Sequence, residues 1–281
     1  MNIKLLPIVM VCLLSFKSND SEGDGDPKKG KNVVERSSNT TSKNSSTAQT
    51  EVYYTKDGKL LTKELAATRS LNKMNTNDNL SNLDKLIVSE YLDLDEKKFE
   101  KPNIKAFQKA FKGYYNLLNE GKISKEILTI IDFSLHSTEK RMWVINMKTK
   151  EILFQNVVSH GRNSGKEYAS SFSNVPESFK SSLGFYKTAE TYFGEHGLSL
   201  RLDGLEPGIN DNARKRDIVI HGADYCDERM GKNQGYLGRS LGCPALPVEL
   251  SSKIINTIKE ESCLFIYHED KQDYFQKSRL I

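Results

Sequence analysis

Residues 238–247, GRSLGCPALP, carry two nucleophile types three positions apart, Ser240 and Cys243. Read as G-x-S-x-G over Gly238, Ser240 and Gly242, the stretch matches the elbow on which serine hydrolases expose a hydroxyl between a strand and a helix. Read as S-x-G-C, it offers a thiol after a flexible glycine. The elbow needs a strand before it, a helix directly after it, and acid and histidine partners downstream. The preceding DERMGKNQGYLGR is polar and glycine-rich, which is loop composition, and His268 is the sole histidine that follows. The serine reading is therefore disfavoured.

The thiol reading finds its partner upstream. RDIVIHG, residues 216–222, is an apolar run over Ile218–Ile220 that ends at His221 against Gly222. A histidine at a strand end can face a cleft. A free thiol with a pKa of about 8.5 needs an imidazole or another positive influence to become a nucleophile at neutral pH. Taken singly, a histidine beside glycine is more often structural, and a single cysteine more often a small buried hydrophobe. The combination favours Cys243 as nucleophile and His221 as its base, with Ser240 shaping the loop.

The elements that must hold these residues follow from periodicity. After Pro102, with Asn103 as N-cap, apolar residues from Ile104 to Leu118 recur at helical spacing, and Gly121 stands where the helix should stop. The period then changes. ILTIIDFSL (127–135), RMWVINM (141–147) and EILFQNVVS (151–159) read as strands, the last two forming a hairpin around Lys148–Lys150. LGFYKT, LSLRL, DIVIH and CLFIYH are further strands, and PVELSSKIINTIKEE is a helix with Pro247 at its first position.

Several segments in this order resemble the murein L,D-transpeptidases with a YkuD-type catalytic domain, whose signature is a histidine followed downstream by S-H-G-C. The matching residues are His221, Ser240, Gly242 and Cys243, and SSLGFY (181–186) looks like the family's T-P-x-G-x-F/Y segment, with Gly184 and Tyr186 in register. The resemblance covers about residues 107–270. In two departures, Leu241 replaces the second histidine, and Pro244-Ala245 replaces a hydrophobic residue and asparagine. The resemblance implies a mainly β, β-sandwich-like catalytic domain with a few helices, preceded by a helical segment, and no cofactor. It implies that the Cys243 thiolate attacks the third residue's carbonyl in a peptidoglycan stem peptide, releases D-alanine and leaves a thioester that a second stem's amine resolves. His221 would carry the proton, the Gly222 carbonyl would orient His221, and N–H groups around Ser240–Gly242 would form the oxyanion hole. Arg239, Tyr186 and His160 are candidate substrate-binding residues, Arg239 for a carboxylate. Water as acceptor would make the enzyme an L,D-carboxypeptidase. An inactive wall-binding module and a thiol peptidase acting on proteins are the other classes.

The rest of the chain bounds the setting. Residues 1–18, with Lys4 before an apolar run from Leu5 to Phe16, read as a signal peptide. That run is shorter than the roughly 20 residues a membrane-spanning helix needs. Val11 is too bulky for the lipoprotein processing that Cys12 suggests. Residues 19–50 are polar enough to be a disordered tether. Residues 51–101 read as helical or irregular, either packing on a neighbour or forming a small unit, and 102–281 as the catalytic domain. The formal charge of +4 is too small to argue for nucleic acid. ARKR (213–216) reads as a solvated loop, or as a guide for an acidic substrate. His221, Cys226, Cys243 and His268 follow no zinc spacing, so no metal is expected. Cys226, close to His221 in sequence, is a candidate redox brake through a disulfide to Cys243. Cys263 reads as core.

Overall fold

The structure is a computed structural model that describes Tyr53, Tyr54, Leu60, Leu61 and residues 82–281. The expected signal peptide, tether and Cys12 lie outside the described residues. Strands β1 (Tyr53–Tyr54) and β2 (Leu60–Leu61) pair antiparallel with each other. Helices α1 (Asn82–Leu92) and α2 (Ile104–Asn119) precede β3 (Ile127–Asp132), β4 (Met142–Asn146) and β5 (Glu151–Asn156). There follow β6 (Gly184–Gly194), β7 (Gly197–Gly204), β8 (Val219–Gly222), α3 (Glu228–Gln234), β9 (Ala245–Leu246), α4 (Val248–Ile258), β10 (Cys263–Tyr267) and α5 (Gln272–Lys277).

Strands β3 to β10 form one mixed sheet in the order β5-β4-β3-β10-β6-β7-β8-β9, parallel only at β3/β10 and β8/β9. The sheet curls on itself. Leaving β5, the chain crosses to the far side of β9, where the Ser159 N–H donates to the Ala245 carbonyl at 2.9 Å. The mainly β expectation thus takes the form of a single curled sheet with a few helices. The central strands β3 and β10 are almost wholly buried, which explains why their sequences run continuously apolar instead of alternating.

Helix α2 begins as the sequence indicates, with the Asn103 side chain accepting the Lys105 N–H at 2.8 Å. Gly121 just beyond its end has φ +66°. Its apolar face lies on β3 and β10. The preceding segment joins the same core: Ile87 and Leu94 are buried in it, Tyr91 packs on Phe107 at 5.3 Å between ring centres, and the Trp143 indole donates to the Glu100 carbonyl at 2.8 Å. Residues 82–101 therefore pack on the sheet-bearing body. Among the described residues, no helix is long and apolar enough to cross a membrane.

Two local expectations are corrected. ERMGKNQ, read as loop, is helix α3, because the Asp227 carboxylate caps it by accepting the Arg229 and Met230 N–H groups, each at 2.8 Å. Pro247 is the residue before α4 and not its first, and the helix ends at Ile258, ahead of Glu260 and Glu261, which both have positive φ.

Space decides one buried position. At Gly113 on α2, a methyl group would sit 2.0 Å from the Phe185 ring, which itself stacks on Phe265 at 4.2 Å. Gly113→Ala should destabilise the fold by about 1–3 kcal/mol through overpacking, although alanine favours helix by about 1 kcal/mol. A thermal melt beside wild type measures this, and an unchanged or raised Tm would contradict it.

Candidate active site

Strand β8 carries His221, and its short parallel partner β9 follows directly from Cys243. The register pairs His221 with Ala245 and Gly222 with Leu246. The residue two before Ala245 is thereby brought alongside Val219, and the Val219 N–H donates to Cys243 Sγ at 3.4 Å. The thiol in turn points at the Asp217 carbonyl, 3.5 Å away. Both partners lie on the segment entering β8, so the sulfur is held against the strand that bears the histidine.

The loop before Cys243 is fixed from within. Ser240 Oγ accepts the Gly242 N–H at 3.0 Å and donates to the Cys243 carbonyl at 2.6 Å. Its own N–H donates to the His160 carbonyl and its carbonyl accepts the Arg162 N–H. A buried serine with both sides of its hydroxyl engaged is a loop brace. The Ser240 and Gly242 N–H groups are thus occupied internally, which corrects the expectation that they face an oxyanion. The Leu241 and Cys243 N–H groups have no partner among the described residues. Gly242 has φ +131°, a conformation that L side chains rarely adopt, and an added Cβ would lie 3.0 Å from Ile218 Cδ1 and from the Lys180 carbonyl.

The His221 ring is buried, with Nδ1 2.9 Å from the Gly222 carbonyl. That carbonyl can only accept, so Nδ1 carries the proton and Nε2 is left as the basic nitrogen. Burial, then the neighbouring His196, lowers the pKa of His221 against the raising effect of Gly222. His196, at the β6–β7 hairpin tip, stacks on it at 4.3 Å with 21° between the planes. Cys243 is half-buried, and desolvation pushes its thiol up to about 11, opposed by the Val219 N–H and the Arg216 charge and assisted by Asp217. The resting pair is a neutral imidazole and a protonated thiol.

The other expected site residues fall elsewhere. Tyr186 is completely buried on β6 with its hydroxyl donating to the Ser182 carbonyl at 3.1 Å, so it is a core residue and lines no cleft. His160 is also buried, its Nδ1 2.8 Å from Arg141 Nη2 and its Nε2 3.2 Å from the Gly165 carbonyl. Burial and Arg141 push its pKa down to about 3, which leaves it a neutral bridge inside the protein. Arg239 is exposed and donates to the carbonyls of Arg162 and Gly165, each at 3.1 Å. It braces a loop and pairs with no carboxylate among the described residues.

Besides Leu241 and the basic run, residues that the sequence did not single out line a further surface feature. A depression of about 300 Å³ is lined by Pro176, Glu177, Phe179, Lys215, Arg216, Asp217 and Leu241, and so includes Asp217, whose carbonyl the thiol approaches. Ser181 Oγ ties the segment after β5 to the loop before Cys243, accepting the Gly161 N–H at 3.0 Å and donating to the Gly242 carbonyl at 3.1 Å. Of the ARKR run, Arg214 pairs on the surface with Glu190 and Asp203, while Arg216 turns inward. The shared register of hydrophobic Ile218 and its neighbours was the only signal that this end of the run approaches the core.

The described cysteines, Cys226, Cys243 and Cys263, are free thiols. Cys226 belongs to a separate apolar cluster with Val157, Ala223, Leu237 and Ala245, and its Sγ donates to the Ala245 carbonyl at 3.1 Å. It is not paired with Cys243. Among the described residues, no three His, Cys, Asp or Glu side chains come together as metal ligands.

A sequence profile of the L,D-transpeptidase catalytic domain matches residues 98–267, more than half of the chain. The chain belongs to the L,D-transpeptidase catalytic domain family. A search of curated proteins finds no match. Similar solved structures include an L,D-transpeptidase from Mycobacterium smegmatis, at 14% identity over 50% of this chain and 58% of that one, with a TM-score of 0.32. Another, from Xylanimonas cellulosilytica, is 11% identical over 64% of this chain and 90% of that one, with a TM-score of 0.30. The chain spans less than two thirds of the length of the first.

With its thiol raised to about 11, Cys243 holds little thiolate at neutral pH. Its alkylation by iodoacetamide should rise about tenfold per pH unit from 7 to 9. Peptide-mapped mass spectrometry checks this, and a rate that levels off below pH 8 would reveal a preformed thiolate instead.

Proposed function

We propose that this protein is an exported L,D-transpeptidase that uses Cys243 as its nucleophile on peptidoglycan stem peptides. The observation that supports the reading is the β8/β9 pairing, which brings the thiol of the loop before β9 against β8, the strand that bears the basic histidine. Membership of the family supplies the reaction class.

The sulfur attacks the carbonyl of the stem's third residue as His221 Nε2 takes the thiol proton. The carbonyl π electrons move to oxygen, and the Leu241 and Cys243 N–H groups are the available donors for that charge. Collapse of the tetrahedral species breaks the amide bond, and the protonated imidazole returns its proton to the departing D-alanine amine. A thioester on Cys243 remains. A second stem's amine attacks the thioester and loses a proton to His221; collapse breaks the C–S bond and leaves the new amide, and the imidazolium returns the proton to the sulfur. A neutral imidazole suits this cycle, because only the unprotonated ring can accept the first proton. The Gly222 carbonyl holds the ring in the tautomer that leaves Nε2 free.

Residues 1–18 serve in this reading as an export signal and 19–50 as a tether, with 102–281 as the catalytic domain in the cell envelope. The charge and hydropathy of the N-terminal segment support the assignment.

The test is mass spectrometry of the reduced protein incubated with a disaccharide tetrapeptide and an added D-amino acid. The expected outcome is loss of terminal D-alanine, an exchanged product and a transient adduct on Cys243, with Cys243→Ala inactive and His221→Gln reduced at least 10²-fold. A tripeptide alone would identify hydrolysis. No product and no adduct would leave a wall-binding module.

A further inference from the structure

Among the cations of the described residues, Arg216 is the one whose charge bears on the Cys243 sulfur, lowering the thiol pKa that burial raises. It is half-buried, one residue before the carbonyl on which that thiol rests. Its guanidinium is fully directed. Nη1 donates to the Ser173 carbonyl at 2.8 Å and to Ser182 Oγ at 2.5 Å. Nη2 donates to the Lys180 carbonyl at 2.6 Å and to Ser178 Oγ at 3.3 Å. No carboxylate neutralises it among the described residues. All four acceptors lie in the segment 173–182, which supplies Pro176, Glu177 and Phe179 to the wall of the depression. The same nitrogen lies 3.4 Å from where a Cβ on Gly242 would stand, so the cation abuts the backbone immediately before the nucleophile.

These contacts combine two tasks in one side chain. The planar fork ties the cleft wall to the entrance of β8. The charge, unpaired with any carboxylate among the described residues, lies against Gly242, next to a sulfur that must become anionic when it reacts. The other groups bearing on that sulfur are Asp217, on the same segment, which opposes it, and the phenol of Tyr225, from the turn after β8.

We propose that Arg216 is a positioning residue for Cys243: it clamps segment 173–182 beside the nucleophile and provides the positive field in which the thiolate forms. The proposal rests on Cys243 being the nucleophile. It concerns the reactivity of the thiol, which is measurable without peptidoglycan.

The experiment compares full-chain wild type, Arg216→Gln and Arg216→Lys by peptide-mapped iodoacetamide labelling at pH 8, with protection of buried Cys226 and Cys263 reporting the intact fold. Removing the charge in Arg216→Gln should slow labelling of Cys243 about tenfold, whereas Arg216→Lys, which keeps it, should stay within about twofold of wild type. Labelling of folded Arg216→Gln at the wild-type rate or faster would overturn the proposal. Should Arg216→Gln expose Cys226 and Cys263, Arg216→Lys decides: near-wild-type labelling upholds the charge, and a tenfold loss in the folded variant overturns it. Because the readout needs no turnover, absence of transpeptidation with a slowed Arg216→Gln would contradict the proposed function and leave the role of Arg216 standing.

Discussion

The site depends on the register of one short parallel pairing. Strands β8 and β9 share two residue pairs, His221 with Ala245 and Gly222 with Leu246. In that register the approach to β9 brings the sulfur to the Val219 N–H. A slip by one residue would turn alternate side chains to the opposite face and separate the thiol from the imidazole's strand. Two pairs are too few to enforce this alone. The register is held from outside by Ser159 on the far side of β9, by Ser240 within the loop and by Ser181 across it. Helix α4 lies over β7 and β8 and continues directly from β9.

In this arrangement the thiol and the imidazole rest without an ion pair. Burial disfavours both the thiolate and the imidazolium, so the resting site contains two neutral groups. In the proposed cycle, charge would separate only as the thiol reacts. Local positive potential and backbone donors then matter more than the intrinsic acidity of the thiol. The stacking of His196 on His221 acts in the same direction, since a second protonated ring beside the first is repelled.

Much of the strand layout was legible because the centre of the sheet consists of uninterrupted apolar runs, and α2 because its cap, period and terminal glycine agree. His221 and Cys243 stood out through residue type and order. What the sequence hid was orientation. Tyr186 and His160 have the chemistry of cleft residues, yet the pleat turns one into the core and a buried arginine occupies the other. Arg216 was concealed for the opposite reason: within a basic run each residue looks solvated, and only the fold distinguishes Arg214 on the surface from its neighbour turned inward. The short helix α3 depends on a single aspartate cap that composition outweighs.

The crossover that brings Ser159 against β9 has a counterpart at the other side of the sheet, where Asp95 bridges to Glu151 and its N–H donates to the Lys150 carbonyl at 2.8 Å. Both outermost strands thus meet a segment of their own chain, which leaves less unpaired backbone on which another molecule's strand could grow. At β9 that cover continues into the bonds that hold the Cys243 loop, since Ser240 pairs with His160 and Arg162 just beyond Ser159 on the same crossover. Protection against self-association and catalytic geometry are therefore joined: loosening the cover would offer a strand to neighbouring molecules and release the loop that carries Cys243.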